Sequence, residues 1–142
     1  MELSTAMPTG ASMALTAMAY LLVKHAVADF LLQTEYQRRS KGDYGALGGI
    51  SHALTHIVLT APVFWLLPNL TLGIAAALLA TEFVVHYHLD WTKDRVVRAN
   101  GWTSHDTPFW WAIGLDQMLH GLTYVAILWL GLTAAAGPLP SG

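Results

Sequence analysis

Four long apolar segments dominate the sequence and limit what the chain can fold into. Each is close to the roughly 20 residues that an α-helix needs to cross the hydrocarbon core of a bilayer. Charged residues make up 11% of the chain, whereas a soluble domain carries about a quarter. The pattern predicts an all-α membrane protein, one domain over residues 1–142 that forms an antiparallel bundle of four transmembrane helices. The predicted helices cover about 11–33, 48–67, 70–90 and 108–132.

Two proline-containing pairs mark breaks between these segments. Pro68-Asn69 is a turn signal, so the second and third segments are predicted to form an antiparallel hairpin. Thr107-Pro108 is typical of a helix start, where proline is tolerated in the first turn. A cleaved signal peptide is the alternative for the N-terminus. The opening MELSTAMPTG lacks the basic region of such a signal and the apolar run continues, which favours an uncleaved first helix.

The basic residues indicate an orientation in the membrane. By the positive-inside rule, loops rich in lysine and arginine stay on the cytoplasmic side. The first and third loops hold six such residues, which predicts a bacterial inner-membrane protein with both termini on the periplasmic side. These residues are Arg38, Arg39, Lys41, Lys93, Arg95 and Arg98.

The seventh basic residue, Lys24, lies inside the first apolar segment. Its long stem can extend so that the ammonium reaches the cytoplasmic headgroups. Alternatively, the ammonium serves a polar site within the bundle. The first interpretation is the one that we favour from the sequence.

Every apolar segment also carries ionisable side chains four residues apart. Residues at this spacing lie on one face of a helix, and charged groups in hydrocarbon are costly and usually functional. Counted from the cytoplasmic ends of antiparallel helices, the pairs lie at about one level, so they are expected to meet. They are His25 and Asp29, His52 and His56, Glu82 with His86 and Asp90, and Asp116 and His120.

A mixture of imidazoles and carboxylates suits a divalent cation, and four-helix bundles build two-metal sites from such side chains. The sequence therefore predicts a site for divalent metal, two ions of zinc, manganese or iron. Gln33 continues the first face and is expected to orient a ligand, while Asp90 is the candidate general base. The predicted ligands are His25, Asp29, His52, His56, Glu82, His86, Asp116 and His120.

Two alternatives need no such metal site. Polar side chains can hydrogen-bond between membrane helices and simply fix their packing. Bis-histidine haem ligation would account for some histidines but leaves Asp29, Glu82 and Asp116 without a role. His88 points away from the face that carries His86 and is expected at the membrane interface. Gln117 lies off the face of Asp116 and His120, and a packing hydrogen bond is the role expected for it.

The motifs KHAVADFLLQT, SHALTH, TEFVVHYHLDWTK and FWWAIGLDQMLH together resemble a bacterial family of small membrane proteins, domain of unknown function 3307. That resemblance implies no activity. The layout is more loosely similar to small bacterial membrane proteins described as metal-dependent hydrolases, which is an analogy of pattern.

Three classes of function fit these features. The first is a metal-dependent hydrolase of a lipid-type substrate, in which the metals activate water. The second is a di-iron oxidase or hydroxylase of an acyl or isoprenoid chain, and the third is a divalent-metal transporter, a sensor or a non-catalytic bundle. Membrane lipid is the expected partner. The sequence leaves open whether the chain forms a homo-oligomer. The small net charge of −2 argues against nucleic acid.

Overall fold

The computed structural model describes residues 9–67 and 69–136, and this part of the chain is helical with no strand. Four of its helices are long and apolar enough to cross a membrane, which confirms the predicted all-α architecture. The first and second of these long helices each end in a differently wound turn. The elements are α1 (Thr9–Val27) with a π-helical turn (Ala28–Leu32), α2 (Glu35–Ser40), α3 (Leu47–Thr60) with a 3₁₀ turn (Ala61–Leu66), α4 (Leu72–Ala99) and α5 (Thr107–Ala136).

α4 is longer than its apolar segment. The predicted end near residue 90 is wrong, because the helix continues to Ala99 and stops before Gly101, whose φ is +66°. Its 28 residues rise by about 42 Å, more than the hydrocarbon core of a bilayer. Hydropathy misses this extension because its side chains are polar, while nothing in TKDRVVRA breaks a helix. The last turns of α4 therefore carry basic side chains beyond the apolar layer.

Local side-chain contacts define the ends of the shorter elements. Thr34 and Gln37 form a reciprocal capping box at the start of α2, and Thr71 accepts a hydrogen bond from the Ile74 N–H at the start of α4. Asn69 lies in the left-handed region at φ 68°, which asparagine tolerates better than most residues. This agrees with the predicted turn, although Pro68 itself is outside the described residues.

The π-helical turn at the end of α1 changes the register of its last residues. Such turns add one residue per turn and often occur at functional sites. Here the turn covers Ala28–Leu32 and therefore includes Asp29. It ends at Gln33, whose extended backbone (ψ 119°) starts the loop to α2.

The interior of the bundle divides into an apolar end and a polar end. The apolar end is a cluster of buried side chains that includes Leu21, Val63, Leu78 and Ile127. Outside, large apolar residues such as Trp65 (88% exposed) cover the surface, as expected for helices that face lipid. The polar end lies toward the loops between α1 and α3 and between α4 and α5.

The first loop packs against the end of α4. Lys41 Nζ lies 3.1 Å from Asp90 Oδ1, Arg98 Nη1 lies 3.1 Å from Asp43 Oδ1, and the Gly45 N–H donates to Tyr87 Oη at 2.6 Å. In the second polar loop, the backbone N–H and hydroxyl of Thr103 donate to the Asp106 carboxylate, which holds the pKa of that carboxyl below its usual range. Both loops are thus ordered by their own polar side chains.

The close approach of α2 and α3 requires glycine at position 48. A Cβ there would lie 1.9 Å from Ser40 Oγ and 3.0 Å from the Tyr36 carbonyl oxygen. We expect Gly48→Leu to destabilise the protein by about 1–3 kcal/mol through overpacking, measured as a lower melting temperature in detergent. Gly114→Leu is the matched control because its Cβ meets nothing within 4 Å. Equal melting temperatures for the two variants would contradict the packing described here.

Candidate metal centre

Five histidines from all four long helices form the centre of the polar end. The rings of His56 and His86 have centroids 3.8 Å apart, those of His86 and His120 are 4.3 Å apart, and those of His25 and His120 are 4.8 Å apart. His52 joins through His56 at 4.7 Å. The prediction that the polar faces meet at one level is confirmed by these contacts.

One group of possible ligand atoms joins α1, α3 and α4. Atoms of Asp29, His52, His56 and His86 all lie within 4.8 Å of one another. Asp29 Oδ1 is 3.2 Å from His52 Nε2 and 3.1 Å from His56 Nε2. Ligand atoms about 2.0–2.2 Å from a single zinc ion lie roughly 3.3 Å apart at tetrahedral angles, so this group could hold a metal ion.

A second group joins α4 and α5. Atoms of His86, Asp90 and His120 lie within the same 4.8 Å of one another, so His86 belongs to both groups. Asp90 Oδ2 is 3.5 Å from His86 Nε2 and 3.2 Å from His52 Nε2. The two groups are therefore adjacent, which is the arrangement that a two-metal site needs.

Many polar atoms of this cluster are buried without a hydrogen-bond partner. Burying such atoms is costly unless something satisfies them, and both ring nitrogens of His86 are among them. A bound cation could satisfy the carboxylate oxygens and, on each imidazole, the nitrogen that carries the lone pair, because these atoms are metal ligands. The unpartnered atoms in the described part of the chain are His25 Nε2, His52 Nδ1, His56 Nδ1, Glu82 Oε2, His86 Nδ1 and Nε2, Asp90 Oδ2, Asp116 Oδ1 and His120 Nε2.

The hydrogen bond of His120 leaves its Nε2 available to a ligand, whereas His25, a predicted ligand, lies outside both ligand groups. His120 Nδ1 lies 2.9 Å from the Asp116 carbonyl oxygen, which can only accept, so Nδ1 carries the proton and Nε2 the lone pair. His25 Nδ1 lies 2.9 Å from Tyr124 Oη, while its Nε2 lies 3.3 Å from Asp29 Oδ2. Such hydrogen bonds on the outer nitrogen orient ligand histidines in metal sites.

Asp90 and Asp116 differ in their surroundings from what their predicted roles suggest. Asp90, the predicted base, lies in the second ligand group and is 3.1 Å from Lys41 Nζ. Asp116, a predicted ligand, lies outside both groups, with Oδ1 3.7 Å from His120 Nδ1. The roles of both residues stay predictions.

Two glutamines contact the acidic side of the cluster. Gln33 Nε2 lies 3.2 Å from His52 Nε2, in a position to orient that ring as the sequence suggests. Gln117 Nε2 donates to Asp29 Oδ2 at 3.1 Å and to Asp116 Oδ2 at 3.3 Å. Gln117 therefore makes hydrogen bonds within the site, to a side chain of the π-helical turn and to its own neighbour in the sequence.

Lys24 does not extend toward the headgroups. Its side chain is buried, Nζ lies 2.8 Å from Glu82 Oε1, and the Thr60 hydroxyl donates to the same oxygen at 2.8 Å. The interpretation that the Lys24 ammonium reaches the cytoplasmic headgroups is therefore wrong. Glu82 lies outside both ligand groups, and its predicted role as a ligand is untested.

Tyr124 is a site residue that the sequence reasoning missed. It is buried, its hydroxyl meets His25, and Lys24 Nζ lies 4.6 Å from its ring centroid. The signal was present, since Tyr124 follows His120 by the same four residues that separate His120 from Asp116. His88, by contrast, is exposed and contacts Tyr44, as predicted.

A cavity of about 340 Å³ reaches the cluster from the polar end of the bundle. Asp29, Gln33, Asp116 and Gln117 form its inner wall, so it connects the candidate ligands with the surface. Its outer wall is both basic and apolar. These outer residues include Arg38, Lys41, Lys93, Arg98, Phe30 and Phe109.

The fold and this cluster define an all-helical protein with four helices able to span a membrane and buried His/Asp groups that could hold metal. The family model described as Protein of unknown function (DUF3307) matches residues 17–137. The chain belongs to this family, which confirms the resemblance drawn from its motifs. No curated protein and no solved structure matches it.

The buried pair of Lys24 and Glu82 gives a direct test of this part of the site. Lys24→Met leaves the Glu82 carboxylate buried without its cation, and breaking such a pair costs about 3–5 kcal/mol. We expect the single variant to unfold at a clearly lower temperature in detergent. Lys24→Met combined with Glu82→Gln should recover most of the loss, because no charge is then left uncompensated. Equal loss in both proteins would contradict the ion pair.

Proposed function

We propose that the protein binds two divalent cations at the two ligand groups and is a metal-dependent hydrolase of a lipid-type substrate. The observation that carries the proposal is the pair of adjacent groups that share His86, the first of which meets the polar cavity through Asp29. A packing network would pair its polar atoms with one another, whereas this cluster keeps both nitrogens of His86 and one oxygen each of Asp90 and Asp116 without partners.

Zinc and manganese suit this set of ligands. The first group offers three imidazoles and one carboxylate, and the second offers two imidazoles and one carboxylate. Zinc accepts such mixtures, and catalytic zinc sites use three protein ligands with a water in the open position. The second group, which has three ligands and lies beside the cavity residue Asp116, is therefore the position that we assign to the reactive water.

The reaction is hydrolysis of a phosphate or carboxylic ester. The bound cations lower the pKa of water and stabilise negative charge on the ester. Asp116 takes the proton of the water, because its Oδ1 has no partner and its side chain lines the cavity. The water oxygen bonds to phosphorus or carbonyl carbon, the ester bond breaks, and the leaving oxygen takes from Asp116 the proton that Asp116 removed from the water. Asp90, held by Lys41, then acts as a ligand.

The surroundings of the cavity favour a lipid-type substrate. The cavity lies among the ends of α1, α4 and α5 at the polar end of the bundle, and its wall combines charged side chains with Phe30, Phe109 and Ile113. The helices around it expose many large apolar residues. A substrate with a polar head and an apolar tail matches both parts of this wall.

We place the polar end of the bundle, where this cavity lies, on the cytoplasmic side. Lys41 and Arg98 bring the first loop and the end of α4 together through Asp90 and Asp43. The basic residues of both loops thus gather on one side, which supports the positive-inside assignment. We propose a bacterial inner membrane with both termini on the periplasmic side.

Metal content per chain tests the two-ion proposal. We expect two equivalents of zinc or manganese in detergent-purified protein by plasma mass spectrometry. His56→Ala and His120→Ala should each retain about one, because each removes a ligand from one group, and His86→Ala should retain less than one. His88→Ala is the control and should retain two. Equal metal in all four variants would contradict the ligand assignment, and two equivalents of iron would favour the oxidase instead.

Turnover separates the proposed base from the ligands. With vesicles that contain phospholipid, Asp116→Asn should lower the rate of headgroup or fatty-acid release by about 10²–10⁴-fold, the usual contribution of a general base, while it keeps two metal equivalents. Asp90→Asn should retain about one metal equivalent, as His120→Ala does, and should lose activity. Wild-type activity in Asp116→Asn, or activity that persists after removal of metal with a chelator, would exclude this mechanism.

A further inference from the structure

An apolar groove runs between α4 and α5 on the outside of the bundle. It holds a cavity of about 140 Å³, and on α4 it extends from Leu89 to Val96, a distance of about 10 Å along the helix. On α5 its wall is formed by Ala112, Leu115 and Leu119. Val96 and Leu115 are 40% and 52% exposed, so the groove is open to the surroundings of the bundle.

The groove and the polar cavity meet at the same two side chains. Lys93 and Asp116 line both of them. Asp116 is buried and its Oδ1 has no hydrogen-bond partner, so an unsatisfied polar atom lies at the junction. Lys93 and Asp116 therefore lie between the groove and the polar cavity, so that the charged atoms nearest the groove belong to both walls.

Lys93 is suited to hold an anion at this junction. Its side chain is 12% exposed and its Nζ lies 2.9 Å from Asp94 Oδ1, while its alkyl stem lies along the groove. Three further cations, Arg38, Lys41 and Arg98, surround the polar cavity. An ammonium has three donors, so Lys93 can keep its bond to Asp94 and also bind a phosphate.

We propose that this groove holds an acyl chain of an anionic glycerophospholipid, whose phosphate lies against Lys93 in the polar cavity. The inference rests on the proposed function and specifies its substrate as a phospholipid that enters sideways from the bilayer between α4 and α5. The apolar groove recognises the chain, and the cations around the polar cavity recognise the phosphate.

Native mass spectrometry of the metal-loaded protein with phosphatidylglycerol and phosphatidylcholine tests this site. We expect phosphatidylglycerol to bind at least tenfold more tightly. Lys93→Gln should abolish the preference, and Ala112→Trp should weaken binding of both lipids tenfold or more by filling the groove. Leu122→Trp is the control, since Leu122 is an exposed α5 residue outside the groove, and it should bind as wild type does.

Photo-cross-linking gives a second measurement that needs no variant. Phosphatidylglycerol with a diazirine on its acyl chain should label α4 or α5 at residues 89–96 or 112–119. Labelling spread evenly over all lipid-facing helices would overturn the proposal, as would wild-type binding by Ala112→Trp. Competition by glycerol phosphate at the same concentration as the lipid would also overturn it, because a soluble phosphate would then be the ligand.

Metal content, measured on the same samples, distinguishes this proposal from the proposed function. Selective, groove-dependent binding of phosphatidylglycerol by a protein that retains no metal would overturn the two-metal hydrolase and support the lipid site. Two metal equivalents with no lipid preference would overturn the lipid site and leave the metal centre intact.

Discussion

Inside hydrocarbon there is no water to satisfy a buried polar group, so each such group must find its partner within the protein. This constraint determines the arrangement of the four long helices. Every one of them carries ionisable side chains, and the bundle brings these together at one level while Leu21, Val63 and Ile127 fill the apolar end. A shift of one helix along its axis would leave imidazoles or carboxylates facing lipid, which makes the polar cluster a determinant of helix register.

The carboxylates of the cluster are compensated in two different ways. Glu82 and Asp90 each have a lysine partner, Lys24 at 2.8 Å and Lys41 at 3.1 Å. Asp29 and Asp116, by contrast, have no lysine or arginine within ion-pair distance among the described residues, and their neighbours are histidine and glutamine. Neutral imidazoles cannot balance these charges, whereas a cation held by the His/Asp groups could.

Much of this arrangement could be predicted from spacing alone. Four apolar segments predict the helices, and pairs at four-residue intervals predict one polar face on each. The sequence pattern did not predict the role of side chains whose function depends on their contact partners. Lys41 looked like a loop residue, yet it is buried against Asp90. Tyr124 looked like one more aromatic residue of a membrane helix, because a tyrosine in such a helix is not unusual, whereas a histidine is.

The sequence by itself determined that the chain is a helical membrane protein with one polar face on each helix, because helical periodicity and the cost of charge in hydrocarbon are local properties. Only the tertiary structure decided which of these polar atoms face each other. Asp29, in the π-helical turn, contacts His56 and Gln117, Lys24 pairs with Glu82 across the bundle, and His86 belongs to both ligand groups. These outcomes depend on the rotation and depth of neighbouring helices, which long-range packing sets and a linear pattern does not record.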